Sequence, residues 1–371
     1  MRTKHLIRML FPAAILILIA GTLNPQLRNM RQPINRLPTI QDGHNLAAPP
    51  PIISTVAFAG LRCLAADLLW LRASSLQDNG RYFELVQLAD WITELEPHFK
   101  EVWAVHAWNM AYNISVLMPN DHERWRWVEN GITLLRDRGI PANAADPYLY
   151  TELGFIFLDK IANPTDPTSQ ELMRTWAQKM MQVIGESGYP DYAQLETNKK
   201  TRNLLRKYKL IPNKMREIDQ KYGPLDWRIP QAHALYWAYL GNTATGTNIH
   251  NTVCDRMIYD AMTSMFNYGK LTYSKKGDLF VTSVNFELLP KVISTFEDTL
   301  AHSDSQLPEE AYANFLGSAV RTLKFYHHDK HARELFDKLA TQYPSKKTAA
   351  GFEAYTQHAQ PTLPQILAPK K

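Results

Sequence analysis

The sequence predicts an all-α protein, an array of helical hairpins behind an N-terminal transmembrane helix, with room for one short β-hairpin. Two observations carry that prediction. Beyond residue 53, apolar residues recur three and four positions apart, the period of a helix with one buried face. The composition agrees: of 371 residues 45% are hydrophobic and 11% aromatic, with nine Trp and only 16 Gly. Many large aromatics and few glycines suit packed helices better than loop-rich β architecture. The order is a cytoplasmic tail and membrane anchor over 1–23, a proline-rich tether over 24–53, a helical domain over 54–222 and a second over 223–371.

The anchor rests on Met9 to Leu23 (MLFPAAILILIAGTL), an uninterrupted apolar run behind Arg2, Lys4 and Arg8. Leu6 and Ile7 extend it toward the roughly 20 residues of a spanning helix, and Arg8 can snorkel. Ile19-Ala20-Gly21 is a poor cleavage site, which favours an uncleaved anchor over a signal peptide. The short tail and large body place the body on the extracytoplasmic side of a single-pass protein. Between Asn24 and Pro51 lie Pro25, Pro33, Pro38 and Pro49-Pro50-Pro51 with few apolar residues. That composition reads as an extended spacer.

Leu61, Leu64, Ala65, Leu68 and Leu69 form the first helical stripe, with Trp70 beside it. Asn79-Gly80 breaks the chain, Leu85, Leu88, Ala89, Ile92 and Leu95 form the second, and Pro97 ends it. Trp125, Val128, Ile132 and Leu135 make a stripe that stops at Gly139. Asp146-Pro147 reads as an N-cap with proline at the first helical position, opening Tyr150, Leu153, Phe157 and Ile161. Leu172, Trp176, Met180 and Ile184 follow. Pro212 and Pro230 open further helices that end at Gly223 and Gly241. Cys254, Met257, Ile258, Ala261 and Met265 run to Gly269. Residues 271–284, centred on Lys276-Gly277-Asp278, read as a β-hairpin. Leu288, Val292 and Phe296 return to helical period. Leu316, Ala319, Val320 and Leu323 then pair with Ala332, Leu335, Phe336 and Leu339 before Pro344.

Several of these segments resemble the tetratricopeptide repeat. In NGRYFELVQLADWITELEP, Gly80 stands at the turn, Tyr82 after it and Pro97 at the repeat end, although Leu85 replaces the family's small residue. Trp103 and Ala107 in VWAVHAWNMAYN follow at the spacing of the next first helix. HHDKHARELFDKLATQYP aligns Ala332, Phe336 and Pro344, with His327 where the family prefers Gly. The register drifts through inserts at Met118–Glu123 and Asn163–Ser169, so about a third of the chain matches with any specificity. GRYFELVQLADWITELEP, RWRWVENGITLLRD and YGPLDWRIPQAHALYWA also resemble an uncharacterised group of bacterial membrane-anchored proteins of this type. The resemblance implies architecture and a groove lined by first helices, where arrays of this kind bind protein or peptide partners. In that register Trp70, Ser74 and Gln77, with Trp108 and Tyr112, face the groove.

Three other clusters compete for a role. Asp226, Arg228 and His233, with Asn251 and Asp255, would form an acid/base group if they met in a cleft; that is the basis of an alternative reading as a membrane-anchored hydrolase or transferase. The bland reading is a helix start with His233 packed against Trp237. His327, His328 and His331 have metal-ligand spacing but only Asp329 and His302 as further candidates, too few for a zinc site, so no metal or cofactor is expected. Trp125-Arg126-Trp127 beside His122 and Arg124 reads as a helix with Trp125 buried and Arg124 and Trp127 exposed.

The net charge is +5, but several of the cations flank the anchor or close the chain at Lys370 and Lys371. No clustered basic face for nucleic acid is expected. Cys63 and Cys254 lie in apolar patterns and read as buried thiols. No phosphate-binding glycine loop, GxSxG, HExxH or CxxC occurs.

Overall fold

The computed structural model describes residues 62–244, 251–276, 278–303, 306–357 and 363–367. The expected anchor and tether lie outside them, as do the side chains of Arg62 and Cys63. No helix among the described residues is long and apolar enough to cross a membrane. The described chain is mostly helical, with one small three-stranded sheet.

Helices α1 (Arg62–Asp78) and α2 (Tyr82–Leu95) form a hairpin closed at Gly80. Gly80 takes φ +68°, a left-handed conformation that glycine adopts without steric cost. The buried seam of α1 is Ala66, Leu69, Ala73 and Leu76, while Leu64 and Leu68 are 45% and 40% exposed. The expected stripe is therefore rotated: Leu64 and Leu68 face outward. Ala66 and Ala73 keep the 3–4 spacing with Leu69 and Leu76, and their small side chains sit against α2, so the alanines and not the leucines mark the seam. This hairpin has its own small core, which reaches Val102.

The second core is one continuous cluster from Val86 to Leu367, and the expected boundary at 222/223 falls inside it. Helix α3 (Lys100–Trp108) runs on through a wide π-type turn at Asn109–Ile114 and a 3₁₀ turn at Ser115–Leu117. The Asn120 side chain accepts from the Glu123 N–H to cap α4 (Asp121–Leu134), which also continues into a wide turn, Leu135–Gly139, and a last turn, Ile140–Ala142. A Cβ at Gly131 would lie 2.8 Å from the Ala107 carbonyl oxygen, so α4 approaches α3 at a distance only glycine permits. Helix α5 (Tyr148–Phe155) widens at Ile156–Ile161. It starts one residue later than Asp146-Pro147 predicts: the Asp146 carboxylate accepts from the Tyr148 N–H at 2.9 Å, leaving Pro147 at the cap.

Helix α6 (Ser169–Ile184) buries Leu172, Trp176, Met180 and Ile184 as expected. Three short helices follow: α7 (Tyr192–Thr197), α8 (Lys199–Tyr208) and α9 (Pro212–Tyr222). Helices α10 (Pro230–Ala244) and α11 (Thr252–Tyr268) pack on each other and α10 packs on α5. Strands β1 (Lys270–Ser274) and β2 (Leu279–Ser283) form the expected hairpin, Leu271 opposite Thr282. A third strand, β3 (Gln365–Leu367), pairs with β2 and was not expected. Three residues are too few for an alternating pattern to show in sequence. Helices α12 (Leu289–Leu300), α13 (Leu307–Phe325) and α14 (Asp329–Gln342) complete the core, with α15 (Lys346–Ala349) and α16 (Phe352–Thr356) beyond. The α13–α14 turn has His327 at φ +61°, the left-handed place where glycine was expected.

Candidate functional site

Facing sides of α3 and α5 and their wide turns carry a strip of aromatic and charged side chains. Trp108 stacks on Tyr112, ring centroids 4.3 Å apart and 19° between planes, and on Phe155 at 5.6 Å and 15°. The Trp108 indole N–H donates to Glu152 Oε2 at 2.8 Å, and the Tyr112 hydroxyl to Asp159 Oδ2 at 3.1 Å. Trp108 remains 38% exposed, and Val116 and Leu117 beyond it are 55% and 56% exposed. Wide π-type turns recur at functional sites, and here two of them supply Tyr112, Asp159 and Lys160.

The electrostatics follow from partial burial. Burial raises the Glu152 carboxyl above its usual range, opposed by hydrogen bonds from Trp108 and Tyr148. Tyr148 is pushed up to about 12, mainly by burial and then by Glu152. Burial, with Asp159 beside it, also holds the Tyr112 hydroxyl protonated. The Lys160 ammonium is buried 5.5 Å above the Tyr112 ring and 3.8 Å from Asp166. Burial lowers its pKa, with Arg124 adding and Asp166 and Asp159 opposing. At the other end Lys100 lies over the Tyr148 ring at 5.5 Å and pairs with Asp146. Asp146 leads into an open depression of about 460 Å³ lined by His98 and residues 142–147. From Lys100 to Tyr112 the strip is about 18 Å long at helical rise. It offers aromatic faces edged by carboxylates, the makings of a recognition surface.

The five expected groove residues are brought together only in part. Trp108 and Tyr112 are in contact, as above. Trp70 is half-buried against Phe99, ring centroids 5.8 Å apart. Ser74 and Gln77 are exposed, with the Ser74 hydroxyl turned back to the Trp70 carbonyl. Among the described residues no hydrogen bond or ring contact joins this trio to Trp108 and Tyr112.

The cluster around His233 is a filled core. His233 is buried among Trp176 (4.7 Å), Phe157 (5.5 Å) and Trp227 (6.0 Å), and its Nε2 lies 2.9 Å from the Trp227 carbonyl. Trp237, its expected neighbour, packs instead on Tyr150 and Tyr236. Asp226 and Arg228 form a buried bidentate ion pair, and the guanidinium also donates to the carbonyls of Leu271 and Glu186. Asn251 caps α11, and Asp255 accepts from Asn242 at 2.7 Å. No cleft gathers these groups.

His328 packs on the Phe286 ring at 4.4 Å, His327 occupies the turn and His331 is exposed. Among the described residues no group of three or more His, Cys, Asp or Glu is placed to hold a metal. Arg124 and Trp127 are not the exposed remainder expected of α4: Arg124 pairs with Asp121, and Trp127 meets Phe83 edge-on at 5.8 Å. Cys254 is buried, its thiol pushed up to about 12.

Two features were not anticipated. Glu152, Asp159 and Lys160 lie at i, i+7 and i+8, so only the pairing of α5 with α3 brings them to Trp108. The other is a basic face on α8, legible as Asn198–Lys209 (NKKTRNLLRKYK) and overlooked while the balance of the whole body was weighed. No known protein family, curated protein or solved structure matches this chain.

Proposed function

We propose that the protein is a membrane-anchored scaffold that binds a protein or peptide partner, working within a bacterial envelope assembly. Residues 9–23 anchor it in a single pass, with the body on the extracytoplasmic side, and the helical hairpins form a tetratricopeptide-like solenoid. The observation that carries the reading is the Trp108–Tyr112–Phe155 stack, with Trp108 exposed and the polar edges already fixed by Glu152 and Asp159. A platform pre-ordered in this way loses little side-chain freedom on binding, and aromatic anchors dominate many interfaces. The strip's length fits about three turns of a partner helix. The competing hydrolase or transferase reading needs His233 to reach a substrate, and that ring is enclosed on three sides by aromatic side chains.

The test is crosslinking of the full-length protein in its own membranes, then purification and mass spectrometry. A stoichiometric partner lost from Trp108→Ala and Tyr112→Ala, and retained in Ser74→Ala, supports the reading. Recovery of the same partner by all three variants sinks it.

A further inference from the structure

Eight cations and no carboxylates lie between Glu196 and Glu217. Lys214 and Arg216 are held in ion pairs with Glu217 and Glu196. The other six, Lys199, Lys200, Arg202, Arg206, Lys207 and Lys209, are all exposed. None of them has a carboxylate within ion-pair distance among the described residues; Lys207 alone has a ring partner, lying 5.5 Å over Tyr208. Helix α8 turns Leu205 and Tyr208 into the core. At 100° per residue, that leaves Lys199, Lys200, Asn203, Arg206 and Lys207 fanned over the opposite side, with Arg202 at its flank.

Folding accounts for only part of this pattern: Arg206 and Lys207, in the last turn, suit the helix dipole. Lys199, Lys200 and Arg202 occupy the first turn of α8, where the helix dipole disfavours cations. Arg202 and Arg206, one turn apart, repel. Lys209 takes φ +56° at the C-cap, a conformation glycine would hold more cheaply. Next to it Ile211 is 50% exposed, an apolar tip at the edge of a cationic surface.

We propose that this α8 face docks on an anionic membrane surface, its cations against lipid phosphates and Ile211 at headgroup depth. Charge complementarity selects the partner: polybasic segments bind anionic leaflets in proportion to their cation count. The face is one convex helix, and its aromatic residue is turned inward, so it offers no stacking platform for single-stranded nucleic acid. Four of the six cations are lysines, which act as point charges on phosphate and do not fork onto base edges. The proposal leans on the anchor for bringing the body near a bilayer, and the two ideas fail separately.

The experiment uses the full chain with vesicles of phosphatidylcholine alone, and of phosphatidylcholine with phosphatidylglycerol. Acylation of each lysine is followed by mass spectrometry, with Lys330, whose side chain is 86% exposed, as the unprotected reference. Lys199, Lys200, Lys207 and Lys209 are expected to label several-fold more slowly in phosphatidylglycerol vesicles only. The protection should vanish at 1 M salt, where the screening length falls to about 3 Å. Arg202→Gln and Arg206→Gln should each lower the docking equilibrium constant about fivefold. Equal labelling in both vesicles overturns the proposal, and so does protection by RNA but not by phosphatidylglycerol. Flotation with phosphatidylcholine alone reports the anchor. A chain that floats there yet labels equally sinks the face and spares the anchor; protection without such flotation does the reverse.

Discussion

The α3–α5 strip and the start of α10 are built from the same kinds of side chain and end in opposite states. Both combine tryptophan, other aromatics, carboxylate and cation. Around His233 the aromatics close on three sides, and the Asp226 carboxylate spends its oxygens on Arg228. Along α3 the carboxylates hold the edges of Trp108 and Tyr112, and the Trp108 indole stays 38% exposed. A cluster whose hydrogen-bonding capacity is met internally has nothing left for a ligand. One that is ordered but uncovered has both rigidity and free surface. The difference is exposure, which residue spacing cannot report.

The sharpest way to break the comparison is to unpair the buried ions. Asp226→Asn leaves the Arg228 guanidinium without its countercharge in the core. It should lower stability by about 3–5 kcal/mol in guanidinium denaturation followed by tryptophan fluorescence. The double change Asp226→Leu with Arg228→Met should recover much of that loss. A single-variant shift near zero would mean that water reaches the pair and that the cluster is not core.

Next in size is a pH dependence carried by two buried histidines. Burial lowers His233 from 6.5 to about 4. Burial, and then Arg138, lowers His106 to about 3; neither ring nitrogen of His106 has a hydrogen-bond partner. Both rings are neutral in the fold, so below pH 6.5 the unfolded chain takes up their protons first. Their contribution is full above the unfolded pKa and is lost as pH falls toward the folded values. At pH 5 each should forfeit about 2 kcal/mol relative to neutral pH. His106→Leu and His233→Phe should each flatten the stability profile between pH 7 and 5 by roughly that amount. A profile unchanged in His233→Phe would place that ring in contact with solvent.

These contrasts also mark what the sequence could and could not disclose. Helices α2, α6, α9, α11, α13 and α14 were legible because each carries a full apolar stripe bounded by glycine, proline or a capping residue. The seam of α1 was misread because alanines, weak in any hydrophobicity count, fill it while Leu64 and Leu68 face out. Within the candidate site, Trp108 and Tyr112 were legible as an i, i+4 pair on one helix. Glu152, Asp159 and Lys160 were not, since the pairing of α3 with α5 is a tertiary fact without a local pattern. The α8 cations were visible throughout, but a net charge taken over the whole body concealed them.

A small stability effect belongs to the residue with the largest proposed role. Trp108→Ala removes a side chain that is 38% exposed, along with two ring stacks and one hydrogen bond. A loss of about 1–2 kcal/mol is expected, well below the 3–5 typical of a buried tryptophan. Tyr112→Phe keeps the stack and deletes only the hydroxyl that donates to Asp159, which should cost about 0.5–1.5 kcal/mol. Partner recovery should separate the two variants far more widely than stability does: nearly abolished in Trp108→Ala, and little changed in Tyr112→Phe if the exposed indole is the contact. Both quantities come from the same preparations, by denaturation and by crosslinked co-purification. If recovery simply tracks stability across the two variants, the strip is ordinary packing that happens to reach the surface. If recovery collapses in Trp108→Ala while the fold holds, the exposed indole is the contact and its stacking partners serve to place it.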